Sequence, residues 1–199
     1  MFKTFYKSRE LRFSKMRKFF STNYDYDFVV IGGGPAGYIG SIKAGQKGLK
    51  TACVEYRGAL GGTCLNVGCI PSKALLNISQ KYHEAQHSYK DLGINIGHLS
   101  FDFNHMMMKK QKTVDSLTKG IEMLFKKNKV DYIKGYGKFK DEHTLNVEKD
   151  DGSIQTIRAK NYLIATGSEP NNLPGGILPV DENRVISSTG IFVINFRCS

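Results

Sequence analysis

The stretch Tyr26–Gly37, YDFVVIGGGPAG, decides the fold. Its short apolar run Tyr26–Ile31 stops abruptly at three glycines, the pattern of a buried parallel strand. Gly32-Gly33-Gly34-Pro35-Ala36-Gly37 then satisfies GxGxxG where a strand passes into a helix. Such glycines permit a tight turn and let the backbone approach a pyrophosphate, whose charge meets free amides and the positive end of the helix dipole. Pro35 and Ala36 open the helix, where a missing N–H is harmless. Outward from this turn, a helix is predicted over Pro35 to about Gln46. Gly48 then turns the chain into a second strand, Thr51–Glu55, completing a βαβ start. Glu55 lies 23 positions after Gly32, where a carboxylate can accept hydrogen bonds from an adenosine ribose. A glycine turn that only packs is the competing explanation, and these residues do not distinguish FAD from NAD.

A second motif follows at Gly61–Lys73, GGTCLNVGCIPSK, with Cys64 and Cys69 five positions apart at the start of a helix. In a continuous α-helix that separation is a rise of about 7.5 Å. A disulfide needs Cα atoms roughly 4.4–6.8 Å apart, so at least one of these cysteines is expected on irregular backbone, with Gly68 supplying the freedom. Pro71 suits a first turn, and a helix N-terminus lowers the pKa of a nearby thiol. A zinc site is disfavoured, because no second ligand pair stands at finger-like spacing.

Further along, residues near Cys69 to Gln86 and about Phe103 to Asn128 read as helices, a helical insertion between strands. From Val130 the pattern shifts to short alternating runs: Val130 to Tyr136, Thr144 to Lys149 and Ile154 to Ala159. Asp151-Gly152 marks the turn between the last two. These are expected to form a small antiparallel meander, followed by another buried strand, Asn161 to Ala165, ending in Thr166-Gly167-Ser168. The fold class is α/β, a Rossmann-like nucleotide-binding domain with a helical insertion and a β-meander.

The stretch GGTCLNVGCIPSK resembles the redox signature of the flavin disulfide reductases, class I pyridine nucleotide-disulfide oxidoreductases. This family includes dihydrolipoyl dehydrogenase, glutathione reductase and mercuric reductase. Ser72, where glutathione reductases usually have a lysine, the continuation Ala74-Leu75-Leu76-Asn77, and Gly135-Tyr136-Gly137 are most similar to the dihydrolipoyl dehydrogenase type. The similarity covers about Tyr24 to Gly190.

The resemblance implies an FAD whose pyrophosphate lies on Gly32, Gly34, Pro35, Ala36 and Gly37. It implies Glu55 at the ribose, Gly137 near the adenine through its backbone, and Ala165-Thr166-Gly167-Ser168 as a second backbone approach. Gly62, Thr63, Cys64 and Lys73 would lie beside the flavin. It further implies a redox disulfide between Cys64 and Cys69, in which a dihydrolipoyl thiolate attacks Cys64 and releases Cys69 as a thiolate toward the flavin. NAD⁺ would be the final acceptor. The implied partners are dihydrolipoamide on 2-oxo acid dehydrogenase complexes or on the glycine cleavage protein, and a second subunit in a homodimer. Glutathione or mercuric reduction, and a non-catalytic FAD-binding fragment, are the alternatives.

Family members continue into an NAD domain, a dimerisation domain and a histidine base supplied by the partner subunit. After Gly190 this sequence carries no second GxGxxG, and all five histidines precede Asp150. The expectation is therefore an FAD-binding domain over 24–190 and a divergent tail over 191–199 whose apolar run Ile191 to Phe196 forms a sticky patch. The NAD and dimerisation domains are expected to be absent, and activity of this chain alone is in question.

Composition sets the wider frame. The chain has 199 residues and a formal net charge of +11, which would suggest nucleic acid if it were spread evenly. Much of the excess is in the leader Met1–Asn23, where Lys3, Lys7, Arg9, Arg12, Lys15, Arg17 and Lys18 face only Glu10 among interleaved aromatics. That composition is expected of a mitochondrial transit peptide and so of a matrix protein. No nucleic-acid motif follows it. Lys109, Lys110, Lys112 and Lys126, Lys127, Lys129 read as solvated helix faces. Cys53 reads as a small buried residue. His83-Glu84-Ala85-Gln86-His87 fits HExxH, yet with no third ligand it is expected to be helix surface. Met106-Met107-Met108 is expected to be helix packing.

Overall fold

The apolar run before the glycines forms strand β1, Tyr26–Ile31, in a computed structural model that describes residues 24–193. The transit-peptide expectation and the end of the apolar tail lie outside the described residues. Helix α1 (Pro35–Gln46) and strand β2 (Thr51–Glu55) complete the βαβ start at the predicted positions. Between β2 and β3 come α2 (Gly62–Val67), α3 (Cys69–His87) and α4 (Phe103–Lys127), which make up the helical insertion. Strands β3 (Val130–Lys134), β4 (Tyr136–Asp141), β5 (Thr144–Glu148) and β6 (Ile154–Ile164) follow.

All six strands form one sheet in the order β3-β2-β1-β6-β5-β4. β1 is central and parallel to both β2 and β6, while β2 is parallel to β3. Side chains alternate across β1 as strand geometry requires. Val29 and Ile31 pack with Leu145, Val147 and Ile157 on the meander side. Val30 packs with Leu65, Val114, Ile121 and Phe125 on the helical side. The sheet is thus covered on both faces near β1, as parallel strands demand, and the carboxyl ends of β1 and β2 open beside α1 and α2.

Three expectations about the strands need correction. Val130–Lys134 belongs to the parallel half; the antiparallel meander is β4–β5–β6, with β4 replacing the predicted first run. The two predicted runs Ile154 to Ala159 and Asn161 to Ala165 are one strand, which pairs antiparallel to β5 through Arg158 and parallel to β1 from Ala159 onward. Its end is not a buried strand, since Ile164 is largely exposed.

Lys110 is not on a solvated face. It is 4% exposed, and its Nζ donates to the Phe192 carbonyl at 2.5 Å. Burial lowers its pKa, and the hydrogen bond offsets part of the cost of enclosing the charge. Met106 and Met107 are half-buried but Met108 is exposed, so the methionine run packs only in part. Ile191 and Val193 are exposed in the described part of the tail. No helix among the described residues is long and apolar enough to cross a membrane.

Candidate active site

The glycine turn is held by its own backbone. Gly32 N–H donates to the Val54 carbonyl at 2.8 Å, and Ala165 N–H donates to the Ile31 carbonyl at 2.8 Å. The three strand exits β1, β2 and β6 are thereby tied together. Gly32 has φ +105°, and a Cβ there would strike the Ala165 carbonyl oxygen. The N-terminus of α1 carries no side-chain cap and no acid in its first turn. Pro35 and Ala36 are exposed there. An uncapped helix start fronted by glycines can receive an anionic diphosphate.

Glu55, at the end of β2, is 5% exposed. One carboxylate oxygen accepts from Gly33 N–H at 2.6 Å and the other from Arg57 N–H at 2.8 Å. Each oxygen keeps a further lone pair for another donor. A cavity of about 540 Å³ opens beside this edge, walled by Gly32, Tyr56, Gly135, Tyr136, Gly137 and Thr166–Glu169. Gly32, Gly137, Thr166, Gly167 and Ser168, far apart in the sequence, thus meet at one hollow. Its size and glycine-rich walls fit the adenosine end of a dinucleotide.

The redox segment lies directly against this turn. Gly61 N–H donates to the Gly33 carbonyl at 2.8 Å, and Gly62 and Gly34 approach so closely that a Cβ on Gly62 would lie 2.6 Å from the Gly34 Cα. Cys64 lies within α2 and Cys69 begins α3, with Gly68 breaking the helix between them. Irregular backbone is therefore present, but at Gly68 rather than at either cysteine. A Cβ on Gly68 would lie 2.8 Å from the Thr63 carbonyl oxygen and 3.2 Å from the Cys64 Cα, so a glycine there allows the two helices to meet.

Cys64 and Cys69 are free thiols in the structure. The Cys64 pKa is raised, chiefly by its hydrogen bond with the Cys69 sulfur and then by burial, while the Lys73 charge opposes the rise. Lys73 is thus within electrostatic reach of Cys64. Of the two thiols Cys69 is the more exposed, so exposure does not single out Cys64 as the substrate-facing sulfur. Replacing Lys73 by methionine is expected to raise the Cys64 pKa further. Iodoacetamide modification of the Cys64 peptide at pH 8, followed by mass spectrometry, should slow about twofold, and the gap should close at a pH above both pKa values. Equal rates at pH 8 would show that the lysine charge does not reach the thiol.

A cluster absent from the sequence-based expectations stands at the mouth of the cavity. Tyr56 O–H donates to Glu169 Oε1 at 2.5 Å. Arg57 donates to the same oxygen at 2.8 Å, to the Tyr56 hydroxyl at 2.8 Å and to Thr63 Oγ1 at 3.0 Å. Glu169 raises the pKa of both Tyr56 and Arg57, and they hold its own below the usual range. An exposed ion pair of this kind adds little to stability, so stability does not account for it. The signal was positional: Tyr56 and Arg57 leave β2 just after Glu55, and Glu169 follows the glycine exit of β6.

His83 and His87 stack with ring centroids 4.3 Å apart on α3. Among the described residues no group of three or more metal-ligating side chains occurs.

A family model described as pyridine nucleotide-disulphide oxidoreductase matches residues 26–193. The chain belongs to this family. Among curated relatives, it is 57% identical to a fission yeast (Schizosaccharomyces pombe) protein named dihydrolipoyl dehydrogenase, mitochondrial, over 85% of the chain and 33% of that protein. It is 50% identical to a pea (Pisum sativum) protein of the same name, over 94% of the chain and 38% of the relative. It is 52% identical to cowpea (Vigna unguiculata) leghemoglobin reductase, over 91% and 34%. The chain thus spans about a third of the length of these relatives.

Proposed function

We propose that this chain is the FAD-binding, redox-disulfide portion of a dihydrolipoyl dehydrogenase, oxidising protein-bound dihydrolipoamide with NAD⁺ as final acceptor. The observation that carries this is the backbone contact of the Cys64 segment with the glycine turn, Gly61 to Gly33 and Gly62 to Gly34. A dithiol and a nucleotide cradle are thereby joined in one structural unit. The cavity, the uncapped start of α1 and Glu55 suit FAD, and the named relatives support it.

Gly32, Gly34, Pro35, Ala36 and Gly37 would hold its diphosphate, Glu55 its ribose, and Gly137 with Ala165–Ser168 its adenosine end. Gly62, Thr63, Cys64 and Lys73 would lie along its flavin end. When bound, FAD supplies two-electron transfer between the dithiol and NAD⁺.

The chain's own part is sulfur chemistry. A substrate thiolate attacks Cys64 of the oxidised pair, forming a mixed disulfide as the Cys64–Cys69 bond breaks and Cys69 leaves as a thiolate. The second substrate thiol, deprotonated, then attacks the substrate sulfur of that mixed disulfide and expels Cys64 as a thiolate. The substrate departs as a cyclic disulfide, and its two electrons remain on the pair. Lys73 favours the Cys64 thiolate that this second step expels. We further place the protein in the mitochondrial matrix as part of a homodimer serving 2-oxo acid dehydrogenase complexes or glycine cleavage. The mitochondrial names of two relatives support the organelle.

The test is an assay of the protein as the cell makes it, with dihydrolipoamide and NAD⁺ against oxidised glutathione and NADPH. Turnover of the first pair, with FAD recovered on acid extraction, is expected. Turnover of the second pair alone would overturn this function.

A further inference from the structure

We infer that Tyr56, held in place by Arg57 and Glu169, is the purine-recognising residue of the nucleotide cleft. The inference rests on the FAD reading above and adds to it a residue that reading does not use. Tyr56 is 44% exposed and Tyr136 is 52% exposed, yet the two rings meet edge to face with centroids 6.0 Å apart. Both line the cavity of about 540 Å³ and are its aromatic walls, while four of its nine other lining residues are glycines. Glycines give a flat ring room but no face on which to stack. Two exposed aromatic rings supply that face, and stacking tolerates any base while favouring the larger purine.

Exposed tyrosines ordinarily move between rotamers. This one is fixed at its hydroxyl by Glu169 and Arg57 together, and the Arg57 guanidinium lies over its ring, 5.5 Å from the centroid. Arg57 also reaches Thr63, so the clamp joins the β2 exit, the β6 exit and the start of the redox segment. A second cavity, of about 590 Å³, lies on the far side of Arg57 and Glu169, next to Asn66 and Val67. The clamp therefore divides the two hollows and gives the first a rigid outer wall. A ring held this way is preorganised for a base and loses little freedom on binding it.

The experiment measures binding of FAD and of FMN, which carries the same flavin without the adenylate, to the 199-residue chain by quenching of flavin fluorescence. Tyr56→Leu is expected to weaken FAD about tenfold and leave FMN within about twofold. Tyr56→Phe, which keeps the ring, should lose about threefold or less, and Glu169→Gln should fall between the two. Thermal melting of each variant reports folding independently. Equal losses for FAD and FMN in Tyr56→Leu, or no loss for either, would overturn the inference while leaving the flavin site standing. Failure of the wild-type chain to bind FAD would overturn the flavin site and the inference with it.

Discussion

Serine in place of Cys64 is expected to abolish oxidation of dihydrolipoamide, with a fall of at least about 10³-fold, while the protein stays folded and retains its FAD. Serine preserves the size of the side chain and a hydrogen bond toward Cys69. Its oxygen cannot form the sulfur–sulfur bond on which exchange depends, so neither the internal disulfide nor the mixed disulfide can exist. Cys53 provides the control. It is fully buried in β2, and burial pushes its thiol up to about 12. Its Sγ faces the Gly32 carbonyl at 3.7 Å. Cys53→Ala should cost stability by opening a small void, on the order of 1 kcal/mol, and leave dithiol turnover per folded molecule unchanged. Steady-state rates and urea unfolding of both variants separate the two cases. More than a tenth of the activity surviving in Cys64→Ser would remove this cysteine from the chemistry.

The second large effect is expected at Gly37. This glycine is buried on the inner side of α1, and a Cβ there would strike the Gly32 carbonyl and touch Val30. The obstacle is backbone that already donates to Val54 and cannot swing aside as a side chain would. Gly37→Ala is expected to cost roughly 3 kcal/mol, the upper part of the range for overpacking, and to displace the start of the helix that faces the diphosphate. Gly48 is the comparison: it has φ +79° and nothing within 4 Å of its Cβ position. Gly48→Ala should therefore cost only the left-handed backbone penalty of about 1–2 kcal/mol. Urea midpoints and FAD content of the two variants decide between close approach and conformation as the cause. A Gly37→Ala variant as stable as Gly48→Ala would mean that helix and turn are not in the contact described.

What could be read from the sequence was whatever had a local signal. Tyr26–Ile31 before three glycines placed β1 and α1, and the spacing of Cys64 and Cys69 pointed to irregular backbone in that segment, which the structure has at Gly68 rather than at a cysteine. Other features depend on partners far away in the chain. Lys110 looks like its neighbours Lys109 and Lys112; only the Phe192 carbonyl, 82 positions on, distinguishes it. The predicted runs Ile154 to Ala159 and Asn161 to Ala165 left Lys160 between two strands. In the structure β6 changes partner from β5 to β1 between Arg158 and Ala159, and the backbone runs on through Lys160. Tyr56, Arg57 and Glu169 belong to no motif, and they meet only because β2 and β6 end on the same edge of the sheet.

The place of β1 in the sheet has a consequence for how the chain is made. Its partners on β6 come 133 residues later, Tyr26 with Ala159 and Ile31 with Ile164. At about 5–20 residues per second, a ribosome needs roughly 7–27 s to add that length. For that interval the most apolar strand of the molecule has one side without a neighbour. A nascent chain paused before Ile164 is therefore expected to be a chaperone client, and release from the chaperone should coincide with synthesis of β6.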